Sequence, residues 1–298
     1  MSHILTLVAA EKNLNENHIQ HICDSLELKN GELAKDPHWL EDEKAVDLFI
    51  AQKPDKSQII SLKKKMTEHK IDVFITCQEN RRKKLLIADM DSTILATETL
   101  DDLASCLGLK NEISEITDKA MRGELNFPEA LKARVNMMAG LAYGEIEKQL
   151  DQLTFSGNAI QTIQTLSKNG CVCVLVSGGF IPFARKVAET AGFDHFHANR
   201  LEIKDGRLTG AVFDPILDGQ IKEDILIHYT RLYNLEDHQT IAVGDGANDL
   251  KMLKKANLGI GYRPKPKLAR SLKNIIRHTD LSSLLYMQGY EKNDIINH

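Results

Sequence analysis

The chain has 298 residues, 42% of them hydrophobic and 27% charged, with a formal net charge of -4. That is ordinary soluble composition and length enough for roughly two domains. The slight acidity removes the electrostatic case for nucleic acid or an anionic membrane as partner, and no apolar run reaches the ~18 residues that would span a bilayer.

The N-terminal stretch MSHILTLVAA has no basic leader or small-residue cleavage site, so it reads as a first strand rather than a signal peptide. A helix follows in NENHIQHICDSLE, with apolar residues at Ile19, Ile22 and Leu26. A weaker strand is expected around DPHWLED, then a clear one in KAVDLFIA, a helix in SQIISLKKKMTEH and a strand in IDVFITC. Residues 1–80 therefore predict a small two-layer α+β domain, ferredoxin-like in arrangement. The charged QENRRKK, residues 78–84, reads as a solvated boundary.

From residue 84 to 298 strands and helices alternate, which predicts a parallel α/β sheet. Its strands are LLIA, CVCVLVS, TIAVG and LGIGY. Residues 97–156 are helical in pattern throughout, an insertion that would sit at the carboxyl edge of the sheet, where such sheets bind ligands. RLEIKDGRLTGAVF predicts a hairpin turning at Asp205-Gly206. The five cysteines, odd in number and without a CxxC pair, read as reduced thiols of a cytoplasmic protein. His195 and His197 read as structural, since two histidines alone make no zinc site.

Three strands run into polar clusters: LLIA into Asp89-Met90-Asp91-Ser92-Thr93, CVCVLV into Ser177-Gly178-Gly179, and TIAV into Gly244-Asp245-Gly246-Ala247-Asn248-Asp249. If those strands are neighbours, Asp89, Asp91, Asp245 and Asp249 crowd together and repel. A hard divalent cation relieves the repulsion, and an oxygen-only ligand set suits Mg2+. Ser177 and the glycine N–H groups fit a phosphate, and Lys222 can balance its charge. One carboxylate can accept a phosphoryl group, while another two residues away protonates the leaving alkoxide and later activates water.

DMDSTIL, SGGF, Lys222 and GDGANDLKML, taken together, resemble the four motifs of the haloacid dehalogenase superfamily over about residues 84–285. The resemblance implies a Rossmann-like core, a helical cap at about 97–156, Mg2+ and a phosphoaspartate mechanism. Asp89 would be the nucleophile, Asp91 the acid/base, and Asp at that second position implies a phosphatase. Asp89, Asp245 and the Asp91 main-chain carbonyl would bind the metal, with Asp249 acting through water. Ser177, Gly178 and Lys222 would hold the phosphoryl group, supported by Asn248. Further, ETLDDLA and MRGELNFxxALxxRV resemble the phosphoserine phosphatase family, which implies that Glu98 receives a substrate ammonium and Arg134 a carboxylate, with Met121 and Phe127 excluding water. The expected reaction is then hydrolysis of O-phospho-L-serine, the last step of serine synthesis. A phosphatase or phosphotransferase acting on another small amino-alcohol phosphate, or a non-catalytic amino-acid-binding regulator, stays open as an alternative. Residues 1–80 look similar to ACT-type ligand-binding domains, which leaves a sensing, stabilising or homodimerising role open.

Overall fold

The computed structural model describes residues 3–26, 33–122 and 125–296, and the side chains at 110, 114, 118 and 120–122 lie outside the described residues. The first part is β1 (His3–Ala9), α1 (Glu16–Ser25), β2 (His38–Glu41), β3 (Ala45–Ile50), α2 (Lys56–Glu68) and β4 (Ile71–Cys77). All pairings are antiparallel, in the order β2-β3-β1-β4, which is the ferredoxin-like arrangement read from the sequence. Both helices start on capping boxes, Asn15 with His18 and Asp55 with Gln58. Strand alternation then divides the sheet. Leu5, Leu7, Val46, Leu48, Ile71 and Val73 pack on Ile19, Ile22, Leu62 and Met66 of the two helices. The opposite face presents Val8, Ala45 and Phe74, which join the core of the rest of the chain.

That second face also buries Thr6, Asp47 and Asp72, and each charge there has partners. Asp47 accepts from the Thr6 hydroxyl at 2.7 Å and from both Arg81 terminal nitrogens at 2.5 and 2.7 Å. Arg81 also donates to the carbonyls of Met287 at 3.0 Å and Tyr286 at 3.2 Å. One oxygen of Asp72 accepts from the N–H groups of Arg277, His278 and Thr279 at 3.1, 3.0 and 3.0 Å, and from the Thr279 hydroxyl at 2.7 Å. The Asn274 amide pairs with the N–H and C=O of Ile75 at 3.1 and 3.3 Å. This corrects the reading of QENRRKK as a merely wet boundary. Its Arg81 side chain is 13% exposed, and Lys83 is buried, donating to the carbonyls of Asn80 and His238 and to the Asn257 side chain. A charge run reveals sign, not which of its members finds acceptors.

The remainder comprises β5 (Leu85–Ala88), α3 (Thr99–Cys106), α4 (Lys110–Arg122), α5 (Phe127–Asn136), α6 (Tyr143–Leu150), α7 (Ala159–Lys168) and β6 (Val172–Phe180). Then come α8 (Ile181–Ala191), β7 (His195–Asn199), β8 (Leu201–Lys204), β9 (Arg207–Val212), α9 (Gly219–Leu232), β10 (Thr240–Gly244), α10 (Leu250–Lys255), β11 (Leu258–Tyr262) and β12 (Asn274–Ile276). The sheet is parallel throughout, in the order β12-β11-β10-β5-β6-β7. Helices cover both faces: Leu85, Ile87, Val174 and Val176 meet Leu226, Tyr229, Met252 and Leu253. Leu86, Ala88, Cys173 and Leu175 meet Ile163, Leu166, Phe183 and Val187 on the other face. All four β5 residues are fully buried, so truncating Leu86 to Ala should cost ~2–5 kcal/mol.

The sequence had not marked β7 or β12 as strands. β7 carries His195 and His197, whose Nε2 atoms meet the hydroxyls of Tyr233 at 2.8 Å and Tyr229 at 2.9 Å. The expected β8–β9 hairpin forms, and its Leu208 exchanges backbone hydrogen bonds with Gly140 and Leu141 after α5. The five cysteines are free. Among the described residues no helix is long and apolar enough to cross a membrane.

Candidate active site

β5 lies between β10 and β6, with Ala88 opposite both Val243 and Leu175. The three polar clusters therefore meet on one edge, as adjacency requires. The Asp89 N–H continues the ladder to the Val243 carbonyl at 3.0 Å, fixing the backbone from which its carboxylate projects. The chain then turns sharply over Met90–Ile94, closed by Leu95 N–H on the Met90 carbonyl at 2.9 Å. Within it Ser92 has φ 55°, a left-handed conformation costing a non-glycine residue ~1 kcal/mol. The turn leaves Asp91 extended and turned inward. One of its oxygens accepts from the Thr99 N–H at 2.8 Å and the other from the Ser177 hydroxyl at 3.1 Å. Thr99 opens α3, so Asp91 satisfies a free amide of a helix that begins eight residues later. Burial, then the charge of Glu98, pushes the Asp91 carboxyl up to about 6.

Behind this turn Lys222 of α9 is fully buried and bonds to Asp89 and, at 2.7 Å, to Asp249. The second oxygen of Asp249 accepts from the N–H groups of Asp245 and Gly246 at 3.1 and 2.9 Å. Burial opposes the charge on Lys222, but Asp249 and Asp89 outweigh it and raise its pKa. Burial and the neighbouring Asp249 push Asp89 well above the usual carboxylate range, against the pull of Lys222. Asp245 rises to about 6, mainly through burial. The ammonium thus bonds to two of three crowded carboxylates, and burial, with their mutual repulsion added, raises Asp89 and Asp245. Oxygens of Asp89, Asp245 and Asp249 all lie within 4.8 Å of one another, the one such group among the described residues. An all-oxygen, buried, charge-deficient set fits a hard divalent cation.

Ser177, Gly178 and Gly179 fall inside β6, whose register shifts between Val176 and Phe180. The Ser177 hydroxyl accepts from the Gly179 N–H at 2.8 Å while donating to Asp91. A Cβ on Gly179 would sit 2.9 Å from the Asp91 carboxylate, and one on Gly178 would sit 2.8 Å from the Phe127 ring. Both positions therefore need glycine for close approach. The second contact brings α5 directly over the strand end, starting from the Asn126–Glu129 capping box. Asn199, which the sequence did not single out, donates to the Gly178 carbonyl at 2.8 Å and accepts from the Leu217 N–H at 2.7 Å.

Glu98 occupies the cap position of α3 without capping it. Its carboxylate accepts from the Ser92 hydroxyl at 2.8 Å and faces the Lys265 ammonium at 3.5 Å. Lys265, also unmarked in the sequence, reaches Asp245 at 3.4 Å. Arg134 on α5 donates to the Ala130 carbonyl at 3.3 Å. Burial lowers its pKa, and the charges of Asp101, Glu98 and Asp91 offset this, which places it in the same electrostatic neighbourhood. Asn248 lies half-buried in the turn after β10. Met121 is on α4, its side chain outside the described residues. A lone lysine after β11 has no local pattern to betray it; only the folded chain brings Lys265 to the acids.

The model of the haloacid dehalogenase-like hydrolases matches residues 86–254. A phosphoserine phosphatase of Saccharomyces cerevisiae is 31% identical over 99% of this chain and 98% of its own. One of Methanocaldococcus jannaschii is 39% identical over 69% of this chain and 97% of its own. Among solved structures, a HAD-family hydrolase of Salmonella enterica serovar Typhi superposes with TM-score 0.87 at 26% identity, covering 97% of this chain and 98% of that one. With the strand-end aspartates and the buried lysine assembled on one edge, the chain is a phosphatase that belongs to the haloacid dehalogenase-like hydrolases, in the group of these phosphoserine phosphatases.

Proposed function

We propose that this enzyme hydrolyses O-phospho-L-serine to L-serine and phosphate, the closing step of serine synthesis, through an aspartyl-phosphate on Asp89. The observation that carries the reading is the cluster of Lys222 with Asp89, Asp245 and Asp249 beside the doubly anchored Asp91. The names of the relatives supply the substrate. Asp89 and Asp245 would hold Mg2+ with the Asp91 carbonyl, and Asp249 would act through water. The bound cation supplies charge neutralisation at the phosphoryl oxygens and at the crowded carboxylates.

An Asp89 oxygen attacks phosphorus as the bond to the serine oxygen breaks, and the Asp91 proton passes to that oxygen. Asp91, now a carboxylate, takes a proton from water, whose oxygen attacks phosphorus and frees Asp89 and inorganic phosphate. A carboxyl pushed up to about 6 can serve in both directions near neutral pH, which an ordinary aspartate does less well. Lys222 holds Asp89 and balances phosphoryl charge, while Ser177 and the Gly178 N–H cradle its oxygens with Asn248 alongside. Glu98 receives the serine ammonium and Arg134 the carboxylate, a forked guanidinium matching the latter. Met121 and Phe127 exclude water from these contacts.

We read residues 1–80 as a separate domain, 84–298 as the catalytic one, and 97–156 as its cap. The bonded junction of Arg81 and Asp72 supports a stabilising role for the first. Free thiols fit a cytoplasmic setting. Phosphate release from O-phospho-L-serine is the test: brisk with Mg2+, abolished by EDTA, and restored by excess Mg2+. No release with Mg2+ present refutes the substrate.

A further inference from the structure

The two lysines at the site are held in different ways. Lys222 is fully buried, its ammonium closed in hydrogen bonds to Asp89 and Asp249. The Lys265 side chain is 50% exposed and lies 3.5 Å from Glu98 and 3.4 Å from Asp245. These are ion-pair separations, longer than charge-assisted hydrogen bonds, so the ammonium can leave without abandoning a closed bond. Its backbone is fixed by its own N–H on the Asp245 carbonyl at 3.0 Å, and Pro266 opens the next short helix. The lysine backbone is therefore anchored, while its half-exposed ammonium is held by these two ion pairs. Glu98 is kept in place by the Ser92 hydroxyl at 2.8 Å regardless of Lys265. Without Lys265, Glu98 would face the charges of Asp91, Asp101 and Asp245 with, among the described residues, Arg134 to offset them.

We propose that Lys265 is a specificity-setting positioning residue whose ammonium stands in for the substrate ammonium at Glu98 and yields that place when a zwitterionic substrate binds. This rests on the phosphoserine reading above and deepens it. A substrate that brings its own ammonium must displace the lysine. A substrate without one leaves the lysine on Glu98 and avoids an unpaired carboxylate in the pocket. Lys265 therefore softens discrimination, costing the zwitterion some affinity and making the des-amino analogue tolerable.

The test compares O-phospho-L-serine with 3-phosphooxypropanoate, the same molecule with hydrogen in place of the ammonium, at saturating Mg2+ because Lys265 also faces Asp245. In Lys265→Met and Lys265→Gln the ratio of kcat/KM values, phosphoserine over analogue, should rise about two- to fivefold, the range of a half-exposed ion pair. The change should lie in KM, and Lys265→Arg should keep the wild-type ratio. In an Asp89→Asn background, calorimetry should show phosphoserine binding tighter and the analogue weaker when Lys265 is Met, the two changes multiplying to that factor. A ratio that is unchanged or lower in both neutral variants, with thermal unfolding intact, overturns the role of Lys265. Wild-type enzyme that releases no phosphate from phosphoserine refutes the substrate reading instead, so the two failures are distinct.

Discussion

Arg81 and Lys222 are both cations taken out of water by this fold, and they end in opposite electrical situations. Arg81, at the junction of the two sheets, meets a single carboxylate, Asp47, and spends its remaining donors on neutral acceptors, Thr6, Tyr286 and Met287. Charge balances there and the geometry is bidentate. Lys222 has Asp89 and Asp249 as direct partners, with Asp245 behind them. Charge does not balance there. A buried ion pair that exists for architecture closes on itself; one that exists for chemistry keeps an unmet demand for a cation or a transferring phosphoryl group.

Breaking each cluster should therefore produce opposite phenotypes. The largest effect is expected for Asp89→Asn, which removes the proposed nucleophile: steady-state phosphate release should drop by ~10⁴-fold or more with the fold retained by circular dichroism. Appreciable turnover would show that another group attacks. Arg134→Ala comes next, lowering kcat/KM for phosphoserine by ~10²-fold more than for a simple aryl phosphate, as removal of a charged partner from a buried site predicts. Equal losses on the two substrates would remove the carboxylate contact.

At the junction the loss should be stability rather than rate. Asp47→Ala strands a buried guanidinium and should cost ~3–5 kcal/mol by urea unfolding, with kcat close to wild type at low temperature. Asp47→Leu combined with Arg81→Met should cost clearly less, since no charge is then left alone. A double variant as unstable as the single one would mean that the pair is worth more than its own desolvation.

The smallest effect concerns His197, packed against Tyr229 in β7. Burial, then the nearby His195 and His228, lowers its pKa from 6.5. Above 6.5 the imidazole is neutral in folded and unfolded chains alike and adds no pH dependence. As pH falls through 6.5 toward the lower folded value, the unfolded chain takes the proton first and stability declines. His197→Asn should make that acid slope shallower; an unchanged slope would assign it to other groups.

How much of this was legible beforehand follows from where the information resides. A buried parallel strand must be apolar on both faces, so LLIA and TIAV announce themselves, and chemistry placed at a strand end stays contiguous in sequence. The four motifs were readable for that reason, and neighbouring strand order then assembled them. β7 escaped because an edge strand spelled HFHAN is half polar and half exposed, and β12 because three residues carry no periodicity. Lys265, Asn199 and Arg81 escaped for a deeper reason. Each has its partners at sites that only tertiary structure makes adjacent, and nothing local distinguishes them from solvated residues of the same type.

The anchoring of Asp72 also bears on how the protein is made. Its acceptor oxygen waits for the N–H groups of residues 277–279, and the outer edge of β4 at Ile75 waits for Asn274. A ribosome adding ~5–20 residues per second takes roughly 10–40 s to travel that distance. For most of that interval the first sheet is outside the tunnel with an acid lacking its donors and a strand edge lacking its cover. The nascent chain thus carries a sticky border until residues 274–279 emerge, and a ribosome stalled before residue 274 leaves that border open to chaperones or to neighbouring chains.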